Sequence, residues 1–592
     1  MKSTGMRMGR VAAIATVAAT TLLVTTACSG GGGKGGSGGS GGSSKGAGFN
    51  AGVEKIANPS DKKGGTLKFV GVQDADSWDT TMMYYGFAFD FARYYSRTLV
   101  SYTAAPGQKS IDLQPDLAKA KGTVSPDGLT YTYELKDGIK WEDGKEITSQ
   151  DVKYGIERQW AQEALSGGPV YLRDILDPEK KFKGPYKDPK GIDAIQTPTD
   201  KKIVFKLPKA NGDFEQILAM ATNSPIRKDK DTKTKYALKP FSSGPYKFDS
   251  YSPGKGLKLS RNTNYDPKTD GLRKALPDNI EVTILTNADE RDKRLINGDA
   301  DLDLNQRGMN TSGRTTALKK HKENLDNPQT GFISYVAMPQ SVKPFDNIEC
   351  RKAVIYGTDH KSVQNARGGP IAAGDIAVNM LPPVIPGYDE KDDQYGLRAN
   401  GGAADPVKAK EALKKCGQEK GFKTTLAVRN TDESDKKAAE AIQASLGKVG
   451  ITVEIDQFNG KEGSSIVGNT ANVIKKNYGL ILYGWGPDFP SGQGYGLPLW
   501  HSDYILENGN NNYALIKDKA IDEGFAKAIA EQDPTKAAAL YGEVNKKVME
   551  GAYYLPLVNI KAVNWRSPRL TNVYASDAFS GWYDFAQIGV MK

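Results

Sequence analysis

From Gly65 to the C-terminus the chain runs without a low-complexity linker or a short-period repeat, and within it short apolar strands alternate with amphipathic helices. A body of that length has a large core to bury, and the alternation restricts it to α/β architecture, with helices covering sheets. Thr66–Val70 and Thr130–Leu135 read as strands, the second following the turn signal Ser125-Pro126-Asp127-Gly128. Thr148-Ser149-Gln150-Asp151 opens a helix in which Val152, Ile156 and Trp160 recur at helical spacing. Further helices are predicted from Asp405-Pro406 through Lys415, over Ser434–Gly447 and over Pro534–Met549, with a strand at Ile451–Ile455.

The segment ahead of this body is of another kind. Lys2, Arg7 and Arg10 precede an apolar stretch from Val11 to Val24, and Thr25-Thr26-Ala27-Cys28 follows. That is the layout of a secretory signal. The stretch is too short and too rich in Ala and Thr for a membrane span, which needs about 20 apolar residues. Ala27-Cys28 resembles the end of a bacterial lipobox, which implies lipidation at Cys28, although Thr25 stands where that pattern prefers Leu. Residues 29–48 are almost all Gly and Ser, with Lys34 and Lys45 as their only charges, a composition that predicts a coil spanning about 25 Å. Such a leash holds a soluble body at the extracellular face of the cell membrane.

The formal net charge is +10, and 80 Lys and Arg are interleaved with 70 Asp and Glu. No basic stripe with interleaved aromatics occurs, so no nucleic-acid partner is expected. With Cys28 lipidated, Cys350 and Cys416 remain, and outside the cytoplasm they form either a disulfide or two buried thiols. Enzyme motifs fail in detail. Gly35-Gly36-Ser37-Gly38-Gly39 spells a nucleophile elbow but lies in the Gly/Ser run, with no strand before it or helix after it. Asp299, Asp301 and Asp303 imitate a calcium loop, yet Leu304 and Asn310 occupy the positions of its Gly and Glu. Gly492-Gln493-Gly494-Tyr495-Gly496 lacks the dinucleotide-binding spacing. His321, His360 and His501 form no metal-ligand pair. Neither a catalytic residue nor a metal or cofactor is expected.

Several blocks occur in a fixed order: Gln114-Pro115-Asp116-Leu117-Ala118, Asp127–Thr132, Leu135–Trp141 and Ile147–Val152, then Ser243-Gly244-Pro245-Tyr246 with Arg261-Asn262 and Asn264-Tyr265, then Asn297-Gly298-Asp299-Ala300-Asp301, Phe345–Ala353 and Lys408–Gly417. Together they resemble the large solute-binding proteins of oligopeptide and dipeptide ABC importers, solute-binding family 5, of the actinobacterial lipoprotein type. The resemblance runs from about residue 65 to the C-terminus. It implies an α/β, two-lobed periplasmic-binding-protein type II fold with an extra domain and a hinge between the lobes. The expected division is a signal peptide over 1–27, a lipid-anchored linker over 28–60, lobe I over 61–105, 241–328 and 561–592, the additional domain over 106–240, and lobe II over 329–560. It further implies a monomer that captures a short peptide between its lobes and delivers it to ABC permease subunits. An oligosaccharide or metal chelate on the same fold, or a peptide-sensing module, are the alternatives.

The resemblance also singles out Tyr478–Asp488. In peptide-binding relatives a strand end of this type pairs with the ligand backbone, and an Asp three residues after the Trp takes the ligand's α-ammonium; here that residue is Asp488. The chemistry is apt, since an added strand satisfies the peptide's polar backbone and a buried ammonium needs a fixed opposite charge. Tyr483, Gly484, Trp485 and Gly486 complete the expected site, the glycines for close backbone approach and Trp485 as an apolar wall. The Arg that some relatives place shortly before the Trp is absent, its neighbourhood being Leu480, Ile481, Leu482 and Tyr483. Trp78, Tyr84, Tyr85 and Phe87 fall where lobe I borders the cleft, and Trp78 and Tyr85 are expected to touch the ligand.

Overall fold

The structure, a computed structural model, describes residues 47–591. Cys28, the signal-like segment and nearly all of the Gly/Ser run lie outside the described residues.

Two large hydrophobic cores organise the chain. The first surrounds a five-stranded sheet in the order Leu302–Asp303, Thr66–Gly71, Asn279–Ile284, Gly256–Arg261, Tyr246–Ser252. Thr66–Gly71 is parallel to both neighbours, and the last two strands add as antiparallel hairpin partners. The same core continues without a break into an antiparallel four-stranded sheet, ordered Thr123–Val124, Thr130–Glu134, Lys202–Lys206, Ile195–Thr199. Its strands alternate buried Tyr131 and Tyr133 with outward Thr and Glu, the pattern of a sheet covered on one face. The helix Ser149–Glu157 packs beside it, started by a capping box between Thr148 and Asp151.

The second core belongs to a six-stranded mixed sheet ordered Asp375–Ile376, Tyr554–Lys561, Gln329–Ala337, Tyr478–Trp485, Lys423–Arg429, Thr452–Phe458. Gln329–Ala337 is antiparallel to both neighbours, whereas Lys423–Arg429 is parallel to both of its own. Helices Pro406–Lys415, Glu433–Gly447 and Pro534–Glu550 follow the predicted spans to within a residue, each capped by the Asp ahead of it.

The chain passes between the two cores twice, at Leu325–Asp326 and at Asn564–Trp565, and these passages pair antiparallel. Asp326 is fully buried there. Its carboxylate accepts from Arg566 Nε at 2.9 Å, from the Tyr583 hydroxyl at 2.7 Å and from the Gly52 amide at 3.0 Å. Gly52 approaches closely enough that a Cβ there would lie 2.5 Å from the Asp326 carboxylate. The folded body thus begins before residue 61, where the sequence placed the end of the leash. Ala51 and Ala57 are buried, the Asn50 amide bonds Leu325 O, and Ala57 bridges to Val573. Beyond the second passage, Phe585, Ile588 and Val590 return to the first core.

Cys350 and Cys416 form a disulfide with Cα atoms 5.4 Å apart. It settles the choice that the sequence left open, joining the helix Ile348–Gly357 to the C-cap of Pro406–Lys415.

Replacing Asp326 with Ala leaves the Arg566 guanidinium buried and uncompensated. Urea titration is expected to show a loss of about 3–5 kcal/mol. The double substitution Cys350→Ser, Cys416→Ser opens a loop of 66 residues and is expected to cost about 2–4 kcal/mol in the same assay, with reductant reproducing the effect in the unmodified protein.

Candidate ligand-binding site

The strand Tyr478–Trp485 changes character along its length. It is buried through Leu482 and half-buried from Tyr483 onward. One edge stays paired with Gln329–Ala337 from Ile481 to Trp485. The other edge is paired with Lys423–Arg429 only as far as Ile481, so Leu482–Trp485 presents an edge without a strand partner. The strand runs two residues beyond Tyr483, and the turn begins at Gly486.

That turn delivers Asp488, whose amide is fixed to Gly494 O at 3.1 Å. Its carboxylate accepts the hydroxyl of Tyr171 at 2.5 Å and that of Tyr84 at 3.0 Å. Both donors are neutral, and among the described residues no Lys or Arg pairs with it. Burial pushes its carboxyl up to about 6, the two hydroxyl bonds opposing the shift. Burial, reinforced by the Asp488 charge, holds both phenols well above their ordinary range, so they remain donors.

The two tyrosines arrive from different parts of the chain. Tyr84 ends a loop held by its amide bond to Asp76 at 2.7 Å and by the fully buried Arg158. The Arg158 guanidinium donates to both oxygens of Asp79, at 2.9 and 2.8 Å, and also to Thr81. Tyr171 opens the short helix Tyr171–Leu176, with its ring edge-on to Phe489 at 5.1 Å. Ahead of it Gly168 has φ +71°, and a Cβ there would lie 2.5 Å from Thr81 O. Only glycine lets this loop lie against the Tyr84 loop. A further tie, from Asp213 to Ser491 and Tyr541, joins the four-stranded sheet's side to the six-stranded one.

The remaining expected residues divide. Trp485 is half-buried and donates its indole N–H to Tyr495 O at 3.1 Å. Gly484 lies opposite Ser334, and a Cβ there would meet Ile333 O at 3.2 Å. Gly486 has a different reason from the expected one: a Cβ would lie 2.6 Å from the Phe332 ring, which stacks at 6.0 Å on Trp582. The space it frees is filled by the protein. Trp78 is only 1 % exposed and packs on Phe91 and Tyr251, so the structure assigns it to the core and leaves no face for a ligand. Tyr85 is half-buried against Phe87, and its neighbour Tyr84, 40 % exposed, is the one that reaches Asp488.

Sequence reasoning missed Tyr171 and Arg429. Arg429 ends the parallel neighbour of the site strand, and its guanidinium lies 4.6 Å above the Tyr483 ring. It shares Asp435 with Arg367, at 2.7 and 2.6 Å, and its Nε is buried without a partner among the described residues. Strand adjacency creates this arrangement across 54 residues of sequence; the Gly-Thr-rich surroundings of neither residue signal it. Among the described residues no helix is long and apolar enough to cross a membrane, and no three His, Cys, Asp or Glu converge to hold a metal.

Known proteins carry the same frame. The chain is 26 % identical over 517 residues to heme-binding protein A of Haemophilus influenzae, covering 80 % of this chain and 84 % of that protein. It is 27 % identical over 476 residues to a glutathione-binding protein of Escherichia coli, covering 79 % and 84 %. Among solved structures, the clavulanic acid biosynthesis oligopeptide binding protein 2 superposes with a TM-score of 0.89 at 35 % identity, over 93 % of this chain and 99 % of that one. A periplasmic binding protein from Helicobacter pylori, solved with the peptide STSA, shares the fold with a TM-score of 0.70 at 23 % identity, over 90 % and 99 %. The profile of the bacterial extracellular solute-binding proteins, family 5 (middle region), matches residues 112–506. With two lobes built on separate cores, a third sheet attached to the first, and a half-buried acid where they meet, this chain belongs to the family 5 extracellular solute-binding proteins.

Proposed function

We propose that the protein captures short peptides with free termini and passes them to the permease of an ABC importer, acting by enclosure and without catalysis. The observation that carries this reading is Asp488: a half-buried carboxylate held only by two neutral hydroxyls, beside a strand edge with no partner. A cationic ligand group supplies the charge that the protein withholds, and a peptide's α-ammonium is that group. The unpaired edge of Leu482–Trp485 offers main-chain bonding to an extended ligand. Arg429 stands near the start of that edge and serves the ligand carboxylate, the role for which the sequence showed no Arg. The relatives named for glutathione and oligopeptide binding support the ligand class.

The remaining elements of the reading belong to the same proposal. The protein works as a monomer tethered through lipidated Cys28, with domain limits near those expected apart from the earlier start of lobe I. Heme-binding protein A shows that the family frame also serves another ligand class, but an unneutralised carboxylate suits an ammonium better than a sugar.

Isothermal titration with trialanine, its N-acetyl form and its amide tests the assignment. Asp488→Ala is expected to weaken binding by about 2–5 kcal/mol, and N-acetylation of the peptide to do the same. Arg429→Gln and C-terminal amidation are each expected to cost about 2 kcal/mol. Trialanine affinity indifferent to both terminal modifications would falsify the peptide reading.

The acid's pKa fixes a pH dependence. Only ionised Asp488 attracts an ammonium, so affinity should rise with pH up to about 6 and level off by about 7, with binding releasing a proton below that range and none above it. Stability without peptide runs the opposite way. The folded state holds this proton more tightly than the unfolded chain, so stability from this residue is lost as pH rises from about 4 through 6. The stabilisation by peptide in thermal melts should therefore be larger at pH 7 than at pH 5, and Asp488→Asn should flatten the difference.

A further inference from the structure

The helix Tyr171–Leu176 has two flanks. One carries Tyr171 to Asp488. The other, with Val170, Arg173, Asp174 and Asp177 at helical spacing, lines a cavity of about 530 Å³, within the usual range of small-ligand sites. Trp160 and Phe182 form its apolar wall, their rings edge-on at 5.7 Å. That wall is fixed by Asp177, whose carboxylate accepts from the Trp160 indole at 3.1 Å and from the amides of Lys181 and Phe182 at 2.9 and 3.0 Å.

Three charged side chains of this cavity, Arg173, Asp174 and Lys180, have no bonded partner among the described residues. Arg173 makes no side-chain hydrogen bond or ion pair among the described residues, although its Nε is fully enclosed. Burial pulls its guanidinium below its ordinary range, with Asp174 opposing. Asp174 likewise has no bonded partner among the described residues; it stands exposed at the rim, where partial desolvation raises its carboxyl against the opposing charges of Lys180 and then Arg173. Adjacent helical residues point about 100° apart, so Arg173 and Asp174 do not satisfy each other and offer a planar donor fork within the cavity and a carboxylate at its rim. Of the other rim charges, Lys187 pairs with Glu163 and Lys183 donates to Lys180 O at 2.6 Å, while the Lys180 ammonium is exposed.

We propose that this cavity is a second binding site, for a small zwitterion with an apolar side chain such as a free amino acid. The carboxylate takes the Arg173 fork, for which a bidentate geometry is available. The ammonium takes Asp174, and the side chain lies on Trp160 and Phe182. Tyr84, Tyr171 and Asp488 are not among the residues that line this cavity.

The test offers free L-amino acids, by thermal shift and then by isothermal titration, to protein carrying Asp488→Asn, which removes the charge of the peptide site. Saturable binding of at least one apolar amino acid is expected, weakened about tenfold or more by a second substitution, Arg173→Gln or Asp174→Asn, and by N-acetylation or amidation of the probe. A folded Asp488→Asn protein that binds none of them, or binds them equally well with Arg173→Gln, overturns the proposal. Circular dichroism and a cooperative melt establish folding. Should Asp488→Asn not fold, the comparison of wild type with Arg173→Gln gives the same reading. Failure of the wild type to bind trialanine would count against the peptide reading alone and leave this comparison intact.

Discussion

The Asp326–Arg566 pair is where the two cores are held to one another by the chain itself. Only two covalent passages join them, and they lie side by side with this ion pair between. A buried pair of this kind adds little over an apolar contact, yet removing one partner is costly. Its value here lies in what it collects: the Gly52 amide from the first ordered turn and the Tyr583 hydroxyl from the last segment converge on the same carboxylate. The N-terminal entry, both passages and the C-terminal return are thereby fixed to one point.

Asp488 is built on the opposite principle. The charges of Asp326 and of Arg158 are matched by opposite charges at hydrogen-bond distance, whereas Asp488 receives only phenols, one from each of two separate segments. Hydroxyl bonds orient a carboxylate without neutralising it, and burial then raises its free energy. On the proposed reading, an arrangement that is expensive without a cation and satisfied with one makes a bound ammonium part of what holds the three surfaces together, and the stability spent at this residue makes the cleft selective for charge.

Much of the frame was legible in the chain. Caps at Thr148, Asp405, Asp432 and Asp533 mark helix starts because their side chains satisfy free amides whatever lies around them. Asp488 was singled out by the resemblance, as the Asp three residues after Trp485, and its binding role stays a proposal. The rest depends on what is brought close in space. Gly492–Trp500 holds three glycines and a proline and reads as a loop, yet it is a buried helix, because Tyr541, Phe489 and Trp500 occupy the positions where side chains would stand. Gly486 is glycine for the Phe332 ring, and Trp78 is core, and neither fact is written in its neighbours. Tyr171 and Arg429 reach the site from a short helix and a parallel strand whose partners only the topology decides.

On the proposed reading, the separation of the two terminal charges sets what the cleft accepts. Arg429 lies 4.6 Å over the Tyr483 ring, and five peptide steps lead from Tyr483 to Asp488, so the Cα atoms of Tyr483 and Asp488 stand at most about 17 Å apart. An extended peptide advances about 3.3 Å per residue, so a ligand touching both ends is a short peptide of a few residues. Between the ends the strand edge bonds to main chain, which every peptide has in common. Selection therefore acts on length and on free termini more than on side chains. Longer peptides must give up one charged end, and the loss of an ion pair in a half-buried site is a sharper discrimination than any difference in apolar contact.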